Sequence, residues 1–176
     1  MKKSYLMLLL VAMFALVACN NNDGKPQRSE YDIAIDNLMA QCKNFDAEML
    51  IQGLPGVWEI NSLVTYNADW STIDQPHLVM GKTNAVGIPA EIKYTFTEEG
   101  KGLYCVVPVP FPDANPSTTP FNWRYNADNH KLIMTWETGI EIQRTVSGFN
   151  SEYIILDYVD DSTNQNIREI LKKKVE

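Results

Sequence analysis

From residue 91 onward, apolar and polar positions alternate in short runs. In 91–97, Ile92, Tyr94 and Phe96 take one side and Lys93 and Thr95 the other. In 121–126, Phe121, Trp123 and Tyr125 share one face. A period of two marks a strand with one face buried. Similar runs span 102–109, 131–136, 140–147, 152–158 and 166–173, separated by turn-forming stretches such as Glu98-Glu99-Gly100-Lys101 and Ala127-Asp128-Asn129-His130. With 57–66 upstream, the pattern predicts eight strands. Ile154, Leu156 and Tyr158 alternate with Tyr153 and Ile155, so that strand is apolar on both faces and needs packing on both.

The connections alternate in length. The first, 67–90, and the third, a proline-rich 110–120, are long; the others are short or moderate. In an up-and-down meander both long connections fall at one end. The expected fold is therefore an all-β, eight-stranded antiparallel up-and-down barrel with a closed end and an open mouth. Such a barrel either fills with side chains or holds one small ligand. Long loops in compact domains often carry binding residues. The candidates at the mouth are Trp70, His77 and Met80 in the first long loop and Phe111 in the third connection. The competing reading is that these side chains fold back as a plug, and that the bulky inward residues leave little space.

The first residues change the picture. Lys2 and Lys3 precede an apolar stretch, 5–17, too short and wrongly flanked to span a membrane. It ends in Leu16-Val17-Ala18-Cys19, which resembles the bacterial lipoprotein signal. The resemblance implies cleavage before Cys19, a lipid on its thiol, and a protein held at the cell envelope, with the outer membrane as the expected address. Residues 1–18 then form the signal peptide, 19–29 a polar lipidated tether, and 30–176 one domain. Asn20, Asn21, Asn22 and Asp23 hold one acid, so the facing of the anchor stays open. Losing Lys2 and Lys3 takes the formal charge from −7 to −9, which argues against a nucleic-acid partner. The run Lys172-Lys173-Lys174 is either a solvated strand end or a contact for acidic lipid. Cys42 and Cys105 are either a disulfide or two buried thiols.

Before the strands, Ser29 is a candidate N-cap for a helix over 30–43, with Glu30 and Asp32 in its first turn. Tyr31, Ile35, Leu38, Met39 and Cys42 form its apolar stripe. Asp46 is expected to cap a shorter helix ending near Gln52, with Gly53 as its stop. Then comes Gly56-Val57-Trp58, where the chain resembles the lipocalins and, more narrowly, the lipocalin-like lipoproteins of Bacteroidetes. The resemblance covers roughly 47–174. It implies that Gly56 and Trp58 open the first strand above a helical turn closing the barrel's bottom. It also implies that Arg168, from the last strand, lies over the Trp58 indole. The family's later motif and its helix after the last strand are missing. The helix over 30–43 is expected to cover the wall instead.

Little in the chain speaks for catalysis. His77 and His130 lie outside any metal-ligand spacing, and neither a phosphate loop nor a nucleophile elbow is present. Asp160-Asp161-x-x-Asn164 lacks the glycine and final glutamate of a calcium loop and reads as a turn. The expectation is a non-enzymatic, cofactor-free envelope protein that binds a small apolar or amphipathic ligand at the barrel mouth. The alternative is a solid barrel serving as an interaction or structural module for an envelope protein or surface glycan. Its oligomeric state is not legible.

Overall fold

Alternating runs pair into one sheet because each can bury its apolar face only against the others. The computed structural model describes residues 30–71, 90–108 and 115–175. Two helices, α1 (Glu30–Cys42) and α2 (Ala47–Gly53), precede eight strands. These are β1 (Gly56–Tyr66), β2 (Ala90–Phe96), β3 (Lys101–Pro108), β4 (Ser117–Asn126), β5 (Lys131–Trp136), β6 (Glu141–Phe149), β7 (Tyr153–Asp160) and β8 (Gln165–Lys173). They close into a barrel in sequence order, every neighbour antiparallel. The expected eight-stranded up-and-down barrel is what forms.

The order fixes the ends. The turns after β2, β4 and β6 lie at one end, with the N-terminus of β1 and the C-terminus of β8. The connections after β1, β3, β5 and β7 lie at the other. Both long connections therefore share the open end, as their parity requires. Strand β4 begins at Ser117, earlier than its alternation suggests. Residues 117–120 are exposed on both faces, so no apolar period marks them, and Pro120 pairs with Leu103 near the start of the strand.

The closed end is built as a plug. Asp46 caps α2, accepting a hydrogen bond from the Met49 N–H at 2.8 Å. Leu50 and Leu54 enter the same core as Trp58, Phe96, Leu132, Ile154 and Leu171, all 2% exposed or less. Each such side chain contributes roughly 1.5–3 kcal/mol by leaving water. Gly56 has φ of 134°, a conformation that side chains resist, and a Cβ there would meet the Lys173 Cε at 2.9 Å. The glycine of Gly-x-Trp thus turns the chain from α2 into β1 and leaves room for Lys173.

Part of the outer wall is buried as well. Ile155, Ile170 and Val64 face away from the barrel axis yet are 2% exposed or less. Cys42, at the end of α1, covers part of this wall: its Cβ stands 2.8 Å from where Gly148 would carry one, beside Ile155. Gly148 sits at a bulge in β6, and its missing side chain is what admits the helix end. Cys42 and Cys105 are both free. Cys42 lies on the β6–β7 wall, while Cys105 lies on β3 and pairs with Thr118 of β4. Burial pushes the Cys42 thiol up to about 11.

Candidate functional site

Register and alternation say which side chains point inward, and accessibility then divides the interior in two. Near the closed end the inward residues are sealed: Trp58 and Leu132 are 0% exposed. Toward the open end the picture is mixed: Thr65, Ile92 and Ile167 are buried there, whereas other inward residues are not. Tyr104 and Val106 on β3, Trp136 on β5, Ile142 and Arg144 on β6 and Tyr158 on β7 share the inward face and stay partly accessible. Inward-facing atoms that touch solvent mean space. The partly accessible inward residues of β3, β5, β6 and β7 line one side of the open end, the candidate cup, with Trp58 and Leu132 in the core beneath it.

The cup has two unlike walls. One is aromatic: Tyr94 and Tyr104 lie 5.1 Å apart, Tyr104 and Trp136 5.7 Å, and Trp136 and Phe121 5.1 Å, centroid to centroid. The other carries charge. Arg144 holds its guanidinium carbon 3.5 Å above the Tyr158 ring. Glu169, on β8, is 3% exposed. The Tyr94 hydroxyl crosses the interior to donate to its Oε1 at 3.1 Å. Burial pushes the Glu169 carboxyl above its ordinary range, and the Arg144 guanidinium and the Tyr94 hydrogen bond offset this only in part. Burial also raises Tyr94, Tyr104 and Tyr158, so their hydroxyls remain protonated donors.

Strand pairing leaves this half looser than the base. Strand β1 pairs with β8 from Trp58 to Tyr66, but with β2 only through Gly56, Val57, Trp58 and Glu59. Among the described residues, the upper part of β1 has a partner on one side only.

The sequence-derived site residues fare differently. Trp58 is buried at the closed end, and its indole N–H donates to the Leu54 carbonyl at 2.7 Å. The cation above it is not Arg168. Lys173, its register partner on β8, holds Nζ 5.2 Å from the indole and donates to the Gly53 carbonyl at 2.7 Å. Together Trp58 and Lys173 satisfy the last carbonyls of α2. Arg168 lies farther up β8 on the outward face, because Glu169 takes the inward one. There it forms a bidentate pair with Asp157, at 2.9 and 2.8 Å, and Asp157 also accepts from Ser147 at 2.5 Å.

Trp70 is corrected in the same way. It lies tilted against Tyr66 at 5.4 Å and over Arg168 at 5.1 Å, so it roofs an outer-wall ion pair rather than the cup. Asn166 fixes that turn by donating to the Asn67 and Ala68 carbonyls, each at 2.9 Å. His77, Met80, Phe111 and Cys19 lie outside the described residues. Each lysine of the terminal run is engaged: Lys172 with the Tyr153 ring, Lys173 as above and Lys174 with Glu59. They border a surface groove of about 450 Å³ at the closed end, with Ser151, Glu152 and Val175.

Arg144 and Glu169 are the residues that reading the sequence for motifs passes over. The signal was present, since each replaces an apolar residue within an inward register: Ile142-x-Arg144-x-Val146 and Ile167-x-Glu169-x-Leu171.

Comparison with known proteins adds little. The sequence matches no family model and no curated protein. Among solved structures, a bovine odorant binding protein, a deswapped triple mutant, aligns at 13% identity over 70% of this chain and 76% of that one, with a TM-score of 0.38. The architecture described above rests on the strand topology itself.

Proposed function

We propose that this is a lipid-anchored, lipocalin-like protein of the cell envelope that binds a small amphipathic molecule in the open half of its barrel. One observation carries the binding reading: the inward residues Tyr104, Val106, Trp136, Ile142, Arg144 and Tyr158 stay partly accessible, whereas Trp58 and Leu132 are fully buried. A concave, largely aromatic surface with few polar groups is the usual form of a small-molecule site. Anchoring is supported by Leu16-Val17-Ala18-Cys19. Native mass spectrometry of the purified protein tests the first part, with a co-purified molecule lost in Trp136→Ala as the expected result. Cys19→Ser tests the second: the variant should leave washed membranes, and full sedimentation would overturn the anchor.

A second reading has its own support. Met49 and Ile51 are each 48% exposed on α2 at the closed end, a surface suited to an envelope protein partner. Under that reading, changing Met49 and Ile51 abolishes partner capture, and changing Trp136 does not.

A further inference from the structure

Resting on the binding reading above, we propose that the cup selects molecules carrying a single carboxylate, which Arg144 receives. Among the described residues, Arg144 is a charged side chain on the inward face that stays partly accessible. Its Nε is buried and has no hydrogen-bond partner. Its Nη1 has only the Gln143 carbonyl of its own strand, at 3.5 Å. Among the described residues the guanidinium forms no ion pair. Arg168, on the outward face of β8, shows the contrast, with its fork closed on Asp157 at 2.9 and 2.8 Å. A buried donor without an acceptor is costly, so a site that holds one is completed by a molecule that supplies it.

The surroundings narrow the class. Tyr158 holds the guanidinium carbon 3.5 Å from its ring centroid, and the planar fork of an arginine suits a planar acceptor. Glu169 already has a donor in Tyr94 and lies deeper, at 3% exposure, so the entering group meets Arg144 first. A doubly charged group such as a phosphate dianion would meet repulsion from Glu169 whenever that carboxyl is ionised. A monoanion meets less of it. Opposite, Tyr104, Trp136, Val106 and Ile142 offer an apolar and aromatic bed for the rest of the molecule.

The test compares 4-phenylbutanoate with 4-phenylbutan-1-ol, which differ only at the polar end. Binding is measured by calorimetry on the full chain carrying Cys19→Ser. The acid should bind about tenfold more tightly than the alcohol, the scale of one charge-assisted hydrogen bond. In Arg144→Met the preference for the acid over the alcohol should disappear. In Trp136→Ala both should weaken. Equal binding of acid and alcohol by the wild type, or a preference that survives Arg144→Met, overturns the carboxylate inference and leaves the cup standing. Failure of both molecules to bind removes the cup reading and the inference with it. If Arg144→Met loses its cooperative thermal transition, Arg144→Lys takes its place. It keeps the charge without the fork, and most of the preference should disappear; an undiminished preference overturns the bidentate assignment.

Discussion

The two halves of the barrel use the same strands and the same alternation, yet one is a plug and the other a cup. The closed half is assembled from large side chains such as Trp58, Phe96, Leu132, Ile154 and Leu171, with α2 adding Leu50 and Leu54 from below. The open half places charge in two of its inward positions, Arg144 and Glu169, and loses pairing between β1 and β2. Packing density alone would fill both halves, because interiors tend to close. What keeps one half open is that its polar atoms need neighbours that an apolar filling would deny. Stability is concentrated at one end and recognition at the other.

Four substitutions test that division, in order of expected effect. Trp58→Ala removes a fully buried indole and orphans the Leu54 carbonyl, so urea unfolding should show a loss of about 3–5 kcal/mol. A small loss would mean that the base is not where the fold is held. Asp157→Ala should cost about 2 kcal/mol, since it leaves Arg168 without its paired acceptor beneath Tyr66 and Trp70. Trp136→Ala, at the partly accessible rim of the cup, should cost about 1 kcal/mol, a fraction of the loss at Trp58. Equal losses at the two tryptophans would erase the distinction between the halves.

The smallest effect is a dependence on pH. Glu169 faces Arg144, Tyr94, Tyr104 and Tyr158, with Asp160 beyond Tyr158 on β7. Its folded carboxyl holds a proton more tightly than the unfolded chain does. The folded state therefore binds more protons in the window between the unfolded value, about 4.3, and the raised folded one. Glu169's contribution is full below that window and is lost as pH rises through the folded value. Melting temperatures of wild type and Glu169→Gln, compared from pH 4 upward, should diverge in that window, the wild type falling relative to the variant. Parallel curves would place Glu169 in water rather than in the cup.

Much of this was legible in the sequence. Alternation in residues 91–97 and 121–126 reports a buried face directly, and connection parity places both long loops at one end. Where sequence reasoning failed, three-dimensional register decided. Arg168 and Lys173 are both cations on β8, and composition cannot say which one meets Trp58. The β1–β8 pairing, with its bulge between Ile60 and Ser62, assigns Lys173 to Trp58 and turns Arg168 outward. Trp70 looked like a mouth residue because it follows β1, but a positive φ of 64° carries its indole onto the outer face of Tyr66. Arg144 and Glu169 belong to no motif. They matter because strands far apart in sequence bring them to one interior.

The fit between Cys42 and Gly148 also has a kinetic consequence. A thiolate is the form that alkylating reagents attack, and the Cys42 thiol is buried, its pKa pushed up to about 11. Cys105, on the outside of β3, is partly accessible. In native buffer Cys105 should therefore label promptly, and Cys42 only when the end of α1 lifts from the β6–β7 wall. The slower labelling is a built-in clock: its rate, divided by that of an open thiol, gives the fraction of time this wall is exposed.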